Sequence, residues 1–249
     1  MKSLVSAELL KLRTTASLWV AAGVVVAMSL AVPVVLVLSP SGVDIPEITP
    51  AALAELMRAP ASVAGGAVLL VGLLAAAGEF RHHTVLTTRL VEPRSGRVLG
   101  AKLVAIALVG LALGLLAELV SGVAGAVVLS ADGVDLEPLS HGVPRVAVTV
   151  PLLVALHGLV GVAVGALVRS TAGAVGATLV WVFVVEGVLP VVTRSPWMVH
   201  WLPGGTVHQI LAAETPAGQL TPVAAGALLL GYVAALVTAT AVLDSRREL

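Results

Sequence analysis

Long apolar stretches, each bounded by charged residues, dominate the hydrophobicity pattern of this 249-residue chain. The first runs from residue 18 to residue 38 without a charge, which is about the length that an α-helix needs to cross the hydrocarbon core of a bilayer. Five comparable stretches follow, and six spans are predicted at residues 18–38, 61–78, 103–129, 146–168, 172–192 and 221–243. The pattern therefore predicts an all-α integral membrane protein with a single transmembrane domain over residues 1–249.

The composition excludes several other classes of protein. Hydrophobic residues make up 58% of the chain and charged residues 11%, so too few polar side chains exist to cover a soluble enzyme. Disordered chains are poor in apolar residues, and this chain is rich in them. The absence of Cys excludes disulfides and thiolate chemistry. A net charge of zero and 3% aromatic residues do not indicate a nucleic-acid partner.

Basic residues are distributed unevenly among the segments between spans. Eleven of the fourteen Lys and Arg residues lie on the side of both termini, and three lie on the other side. Acidic residues outside the spans favour the other side by seven to five, so the zero net charge conceals a dipolar arrangement. By the positive-inside rule, both termini are expected in the cytoplasm.

The segment before span 1 has the pattern of an amphipathic helix. Four apolar residues share one helical face, namely Val5, Leu9, Leu12 and Ala16. Four charged residues lie off that face, namely Lys2, Glu8, Lys11 and Arg13. A helix lying in the inner membrane interface is predicted, and the alternative is a polar lead-in to span 1. The 21 residues of the first apolar run exceed a signal-peptide core, so the first span is expected to be retained.

Two connecting segments contain further patterns of interest. Residues 79–102 carry five basic and two acidic residues, with a short helix predicted at 84–90, and indicate either a docking element for a partner or a solvated loop. The segment 193–222 on the other side contains Trp197 and Trp201, which suit a membrane interface. Residues 205–213 are too few to span, so a short re-entrant or interfacial helix is predicted there in preference to an irregular loop.

Two acidic residues interrupt the predicted spans. Glu118 lies in span 3 and Glu186 in span 5. Because an acid at the bilayer centre costs about 2.5–3.5 kcal/mol on insertion scales, each is expected to face protein or a wet cavity. They are either polar residues of a substrate path, paired with Arg145 or Arg194, or groups that support helix packing. His157 in span 4 is interpreted as a packing residue.

Small-residue motifs occur in two spans. Gly110 and Gly114 in span 3, like Gly161 and Gly165 in span 4, have the four-residue spacing that lets helices approach closely. The motifs predict close packing of these spans.

Catalytic and cofactor motifs are not found in the sequence. There is no phosphate-binding loop, no H-E-x-x-H and no G-x-S-x-G, and the adjacent pair His82 and His83 has no further ligands nearby. No catalytic, cofactor or metal residue is therefore predicted, and any ATP chemistry must come from another polypeptide.

Five short motifs, in order along the chain, resemble those of one family. The chain reads ELLKLRTT at residues 8–15, GEFRH at 78–82, PRSGRVLGAK at 93–102, PGG at 203–205 and SRREL at 245–249. This ordered set resembles the bacterial ABC exporter permeases of the second type.

The resemblance implies a half-transporter in the bacterial cytoplasmic membrane. It implies two copies of a separate ABC ATPase, which bind ATP and Mg²⁺, and a second permease copy in a homodimer or heterodimer. The N-terminal helix, with Glu8, Lys11 and Arg13, would then contact the ATPase. So would a coupling helix within residues 79–90, where the contact residues would be Glu79, Arg81, His82, Thr84, Thr87 and Arg89. The outer segment 193–222 would close the exit.

The function expected from these features is an ATP-driven exporter subunit that is not itself an enzyme. The alternative is a secondary transporter driven by a proton gradient, with Glu118 and Glu186 as proton carriers. Such transporters are often built from two related halves, and the two halves of this sequence show no convincing match.

Overall fold

The computed structural model of the protein describes residues 1–38, 52–82, 84, 90, 92, 94–131, 142–194, 196–212, 215 and 218–246. The described chain is α-helical apart from one π-helical segment, and it contains no strand. Six of its helices are long and apolar enough to cross a membrane, which confirms the predicted all-α architecture with six candidate spans.

The six spans overlap the predicted stretches. Their helices are Ala16–Leu38, Ala61–Arg81, Ser95–Ala131, Val143–Val168, Thr171–Thr193 and Pro222–Arg246. Span 3 is much longer than its apolar stretch, because the helix already begins at Ser95 and runs for 37 residues. A short helix, Ala52–Arg58, precedes span 2 and packs Leu53 and Leu56 near Leu129 at the end of span 3.

A two-residue connection joins spans 4 and 5 into a helical hairpin, in agreement with the three residues that separate the predicted spans 146–168 and 172–192. Span 4 ends at Arg169, whose left-handed backbone (φ 56°) stops the helix. The side chain of Ser170 then caps span 5 by accepting a hydrogen bond from the Gly173 N–H at 3.3 Å.

Spans 2, 3 and 4 form the centre of the bundle, and glycines bring their backbones together. Gly110 and Gly114 of span 3 face span 4, where an added Cβ at either position would lie 2.6 Å from a backbone Cα. Gly161 and Gly165 of span 4 face span 2 instead. Both small-residue motifs therefore mediate close packing, and the span 4 motif contacts span 2 rather than span 3.

Spans 1, 5 and 6 surround this centre with much of their surface uncovered. In the most apolar window of span 4, 56% of residues are buried, whereas the share is 6% in span 5. The side chains of Phe183, Val191 and Val192 on span 5 are more than 60% exposed. Such apolar surface requires lipid or another protein chain to cover it.

Besides Ala52–Arg58, the described residues form three shorter helices outside the spans, namely Lys2–Thr14, Pro196–Trp201 and Pro203–Leu211. The N-terminal helix, Lys2–Thr14, buries Glu8 and Leu12. The loop helix, Pro203–Leu211, lies between spans 5 and 6 and packs Val207 and Ile210 against Leu153 of span 4 and Leu229 of span 6. Both positions agree with helices predicted from the sequence, while their placement relative to a membrane interface stays a prediction.

Candidate functional site

Polar side chains concentrate at the two opposite faces of the bundle. The face near the N-terminal helix, here called the N-terminal face, carries Arg169 at the end of span 4. The other face, here called the loop-helix face, carries Arg145 at the start of span 4. A helix of 26 residues separates the two faces by about 39 Å at 1.5 Å per residue.

Four charged residues form a closed cluster at the N-terminal face. This four-charge cluster consists of Glu8, Lys11, Glu79 and Lys102. Lys102 Nζ donates to Glu8 Oε2 at 2.7 Å and to Glu79 Oε1 at 2.9 Å. Lys11 Nζ donates to Glu8 Oε1 at 2.6 Å and to Glu79 Oε1 at 2.9 Å. Each ammonium group therefore bridges the same two carboxylates, and the cluster is neutral overall.

The cluster joins three elements that are distant in sequence. Glu8 and Lys11 belong to the N-terminal helix, Glu79 lies at the end of span 2, and Lys102 lies two turns inside span 3. The side chain of Lys102 is 7% exposed and that of Glu8 is 8% exposed. Since a buried charge is tolerated only when it is paired, these contacts determine how the N-terminal helix sits on the bundle.

The cluster shifts the pKa values of two residues outside the spans. Burial alone raises the pKa of Glu8, but the charges and hydrogen bonds of Lys102 and Lys11 outweigh it, so the pKa lies below its ordinary value. Burial likewise lowers the pKa of Lys11, and the bonds to Glu8 and Glu79 outweigh it, so the pKa lies above its ordinary value. Both shifts favour the charged forms.

Beside the cluster, Arg169 ties the connection between spans 4 and 5 to spans 2 and 6. Its Nη2 donates to Asp244 Oδ1 at 2.5 Å, and its guanidinium lies 5.0 Å from the centre of the Phe80 ring. A cleft of about 60 Å³ lined by Glu79, Phe80, Lys102 and Asp244 separates this junction from the cluster. The cleft has room for a few water molecules and is too small for a drug-sized ligand.

Four of the six residues predicted to contact a partner, Glu79, Arg81, His82 and Thr84, are described by the structure and lie at the N-terminal face. Glu79 is in the cluster, Arg81 and His82 are exposed, and Thr84 donates a hydrogen bond at 3.5 Å to the Glu79 carbonyl. Thr87 and Arg89, with most of the predicted coupling helix, lie outside the described residues.

Within the N-terminal helix, the structure differs from the sequence pattern at Glu8. The pattern places this residue off the apolar face, yet it is buried because Lys102 and Lys11 meet its carboxylate there. Arg13 is exposed, and no ion pair of its side chain is found in the described part of the chain.

At the loop-helix face, Glu186 joins span 5 to the loop helix. Its Oε1 accepts hydrogen bonds from the indole N–H of Trp181 at 2.8 Å and from the backbone N–H of Gly204 at 3.1 Å. Gly204 is in the first turn of the loop helix. The predicted pairing with Arg145 or Arg194 is therefore replaced by donors that the loop helix and span 5 supply.

Glu186 lies in the π-helical segment Trp181–Val188 of span 5. Such segments are rare and occur frequently at functional sites, because the extra residue changes the direction in which side chains point. None of the eight residues is buried, so most of the surface of this segment is left open to lipid or another protein chain.

Arg145 contacts the other end of the loop helix. Its Nη2 donates to the carbonyl of Ile210 at 2.9 Å, one of the terminal carbonyls that have no partner within a helix. Gln209 extends from the loop helix to both flanking segments, because its amide donates to the His200 carbonyl at 2.8 Å and accepts from the Leu220 N–H at 2.8 Å.

Glu118 has a different environment from Glu186. It is buried, and its Oε1 atom has no hydrogen-bond partner among the described residues. It continues the row of span 3 residues, four apart, that contains Gly110, Gly114 and Gly122. Gly114 packs on Pro151 and Gly122 on Met57, so Glu118 occupies a position in a tightly packed helix contact.

His157 packs between spans 4 and 2, in agreement with its interpretation as a packing residue. Its Nδ1 lies 2.7 Å from the Leu153 carbonyl oxygen. Its ring packs against Gly65 of span 2, where an added Cβ would lie 3.0 Å from the ring atoms. Within the described residues, no group of three or more His, Asp or Glu side chains is arranged to hold a metal ion.

The fold and these polar sites define an all-helical protein of the multi-pass membrane class, with six candidate spans. A scan against protein-family models and a search of curated proteins find no match to the chain.

Sequence reasoning missed three of the residues that build these sites. Lys102 was counted only among the basic residues of the loop, because the predicted span 3 begins at residue 103, whereas the helix begins at Ser95 and places Lys102 two turns inside it. Trp181 and Gly204 contribute single hydrogen bonds to Glu186 from 5 and 18 residues away, and no local pattern indicates such pairs.

Proposed function

We propose that the chain is the membrane-spanning permease subunit of an ABC exporter in the bacterial cytoplasmic membrane. In this proposal a separate ATPase, present in two copies, binds and hydrolyses ATP with Mg²⁺. The permease moves the substrate by alternating access together with a second permease copy. The observation that carries the proposal is the four-charge cluster, because it bonds together the two segments that the resemblance assigns to ATPase contact.

The cluster supplies a physical route for coupling. Glu79 is the first residue of the segment 79–90 in which the coupling helix is predicted, and both ammonium groups of the cluster bond to its Oε1. A displacement of the segment after Glu79 would therefore act on the N-terminal helix through Lys11 and on span 3 through Lys102. Since all three elements are bonded to one carboxylate, we infer that they move as a unit.

The experiment is to purify the chain in lipid nanodiscs together with a phosphate-binding-loop ATPase encoded by a neighbouring reading frame. Co-purification and ATP hydrolysis by the complex are expected. Arg81→Glu reverses an exposed charge beside the predicted coupling helix and is expected to abolish both. Arg194→Glu is the matched control, because it reverses an exposed charge on the opposite face. The proposal is contradicted if the chain purifies without any ATPase. It is also contradicted if both variants lose co-purification and ATP hydrolysis to the same extent.

Proton-coupled transport is the alternative, and the buried, unpartnered Oε1 of Glu118 favours it. A carboxyl group without a hydrogen-bond partner in a helix contact is a group that can bind a proton. Dye efflux from cells is measured with and without a protonophore, in the wild type and in Glu118→Gln. The exporter proposal expects efflux to continue in the wild type with the protonophore and in Glu118→Gln without it, while ATP is maintained. Loss of efflux under both of these conditions supports the alternative.

A further inference from the structure

Glu186 of span 5 contacts the N-terminal end of the loop helix. The N-terminal end of a helix carries unsatisfied N–H groups and a partial positive charge, so a carboxylate there is stabilising. Glu186 supplies this carboxylate from span 5, through its hydrogen bond with the Gly204 N–H.

The contact is close on the side of Gly204. A Cβ at this position would overlap the Oε2 atom of Glu186, so a larger residue would push the carboxylate away from the first turn of the loop helix. That atom is the end of a flexible side chain, so the carboxylate can withdraw without movement of the backbone.

The loop helix is held at its other end by a different span. Arg145 of span 4 donates to the Ile210 carbonyl, which places a positive charge at the negative end of the helix. Between the two ends, Val207 and Ile210 pack on spans 4 and 6, and Thr206 is fully buried. The loop helix is thus attached firmly to spans 4 and 6, and to span 5 through Glu186.

Span 5 is the least buried span, and its π-helical segment has no buried residue. The hydrogen bond between Glu186 and Gly204 therefore connects a weakly packed helix to a well-packed one. A shift of span 5 would be transmitted to the first turn of the loop helix through this bond.

We propose that Glu186 is a positioning residue that holds the loop helix closed over this end of the bundle. A shift of span 5 that breaks this bond releases the first turn of the loop helix, while Val207, Ile210 and Arg145 keep the rest of the helix on spans 4 and 6. The inference deepens the exporter function proposed above and rests on it for its role at the exit of the translocation path. In this role Glu186 acts through an acceptor oxygen, not by exchanging a proton.

The test uses Thr206→Cys in the full chain, which otherwise contains no Cys, in lipid nanodiscs with a hydrophilic maleimide. In the wild-type background, slow labelling is expected because position 206 lies on the buried face of the loop helix. Added Glu186→Ala is expected to raise the labelling rate at least about tenfold, the factor for loss of one hydrogen bond to a charged group. Glu186→Gln keeps an acceptor oxygen and is expected to stay close to the wild-type rate.

Two further variants complete the design. Gly204→Ala keeps the backbone N–H but displaces the carboxylate by a methyl group, so it is expected to label faster than the wild type and more slowly than Glu186→Ala. His208→Cys, on the exposed side of the loop helix, is the control and is expected to label rapidly in every background. A variant that fails to fold would be detected by size-exclusion chromatography, and Glu186→Gln then provides the decisive comparison.

The outcomes separate this inference from the proposed function. Equal protection of position 206 in the wild type and Glu186→Ala overturns the inference, as does a Glu186→Gln protein that labels as fast as Glu186→Ala. The labelling experiment needs no ATPase. If the labelling rates are as predicted but no ATPase partner is found, the loop-helix contact is established and the exporter function is wrong.

Discussion

At the scale of single residues, buried charges determine the polar structure of this protein. Lys102 illustrates this, because its ammonium group meets Glu8 and Glu79 where the side chains are almost fully covered. Removing one partner of a buried pair leaves an uncompensated charge, whereas an exposed pair contributes little. The energetic role of each charge is thus decided by its burial and partners.

The first prediction concerns Lys102. Lys102→Met keeps the length of the side chain but leaves two carboxylates without their buried partner, so the protein is expected to lose about 3–5 kcal/mol of unfolding free energy. Arg13→Ala is the matched control on the exposed side of the N-terminal helix, and a change within about 0.5 kcal/mol is expected. Denaturation in detergent measures both, and equal effects would contradict a buried cluster.

The second prediction concerns pH. Because the pKa of Glu8 is lowered on folding, its stabilisation is present above its unfolded pKa of about 4.3 and is lost as pH falls through the folded pKa. Because the pKa of Lys11 is raised, its stabilisation is present below its unfolded pKa of about 10.4 and is lost as pH rises through the folded pKa.

The measurement is the difference in melting temperature between the wild type and Glu8→Gln. This difference is expected to be constant across neutral pH and to shrink below about pH 4 as Glu8 is protonated. Glu55→Gln, which removes one exposed carboxylate paired with Arg58, is expected to show a smaller difference than Glu8→Gln, because Glu8 is paired with two ammonium groups. A difference between wild type and Glu8→Gln that grows in acid would mean that Glu8 is not held charged by the cluster.

At the scale of elements, glycine positions decide which helices approach each other. In a membrane the hydrophobic effect does not drive helices together, so close van der Waals packing has a larger role. Gly161 allows span 4 to lie against the backbone of span 2, where an added Cβ would overlap the Leu69 carbonyl. Gly231 of span 6 has open space around it.

The third prediction follows from this contrast. Gly161→Ala is expected to destabilise the protein by about 1–3 kcal/mol, because the backbones must separate to admit the methyl group. Gly231→Ala is expected to be neutral or slightly stabilising, since alanine is the better helix former and meets no neighbour. Unfolding in mixed detergent micelles measures both variants. A neutral Gly161→Ala would contradict the close contact of spans 2 and 4.

At the scale of the whole molecule, the two faces differ in their chemistry. The N-terminal face carries the four-charge cluster and the Arg169 junction, while the loop-helix face carries Glu186 and Arg145 at opposite ends of one helix. The positive-inside rule predicts that the N-terminal face is cytoplasmic.

The fourth prediction tests this orientation with single cysteines in the naturally Cys-free chain. His208→Cys is exposed at the loop-helix face and is expected to react with an impermeant maleimide on intact cells. Gly96→Cys is exposed near the start of span 3 on the other face and is expected to react only after lysis. If position 96 reacts on intact cells and position 208 reacts only after lysis, the predicted orientation is wrong and the N-terminal face lies outside.

The sequence by itself determined the elements whose signal is local. Runs of about 20 apolar residues identify spans because backbone polar groups in a bilayer must be satisfied within a helix. The predicted spans 146–168 and 172–192 leave only three residues between them, enough for a tight connection, and residues 205–213 indicated a short helix. These features depend on neighbours in the chain and can be recognised without a fold.

Only the tertiary structure decided which polar groups meet. Lys102 and Glu8 are 94 residues apart, and Glu186 bonds to a backbone N–H that any non-proline residue at position 204 would also possess. The partners of Glu186 replaced the arginines that charge alone suggested, and Gly161 turned out to face span 2. Such pairings depend on helix rotation and on which spans are adjacent. These are set by close packing summed over the whole bundle, so no local stretch of sequence contains them.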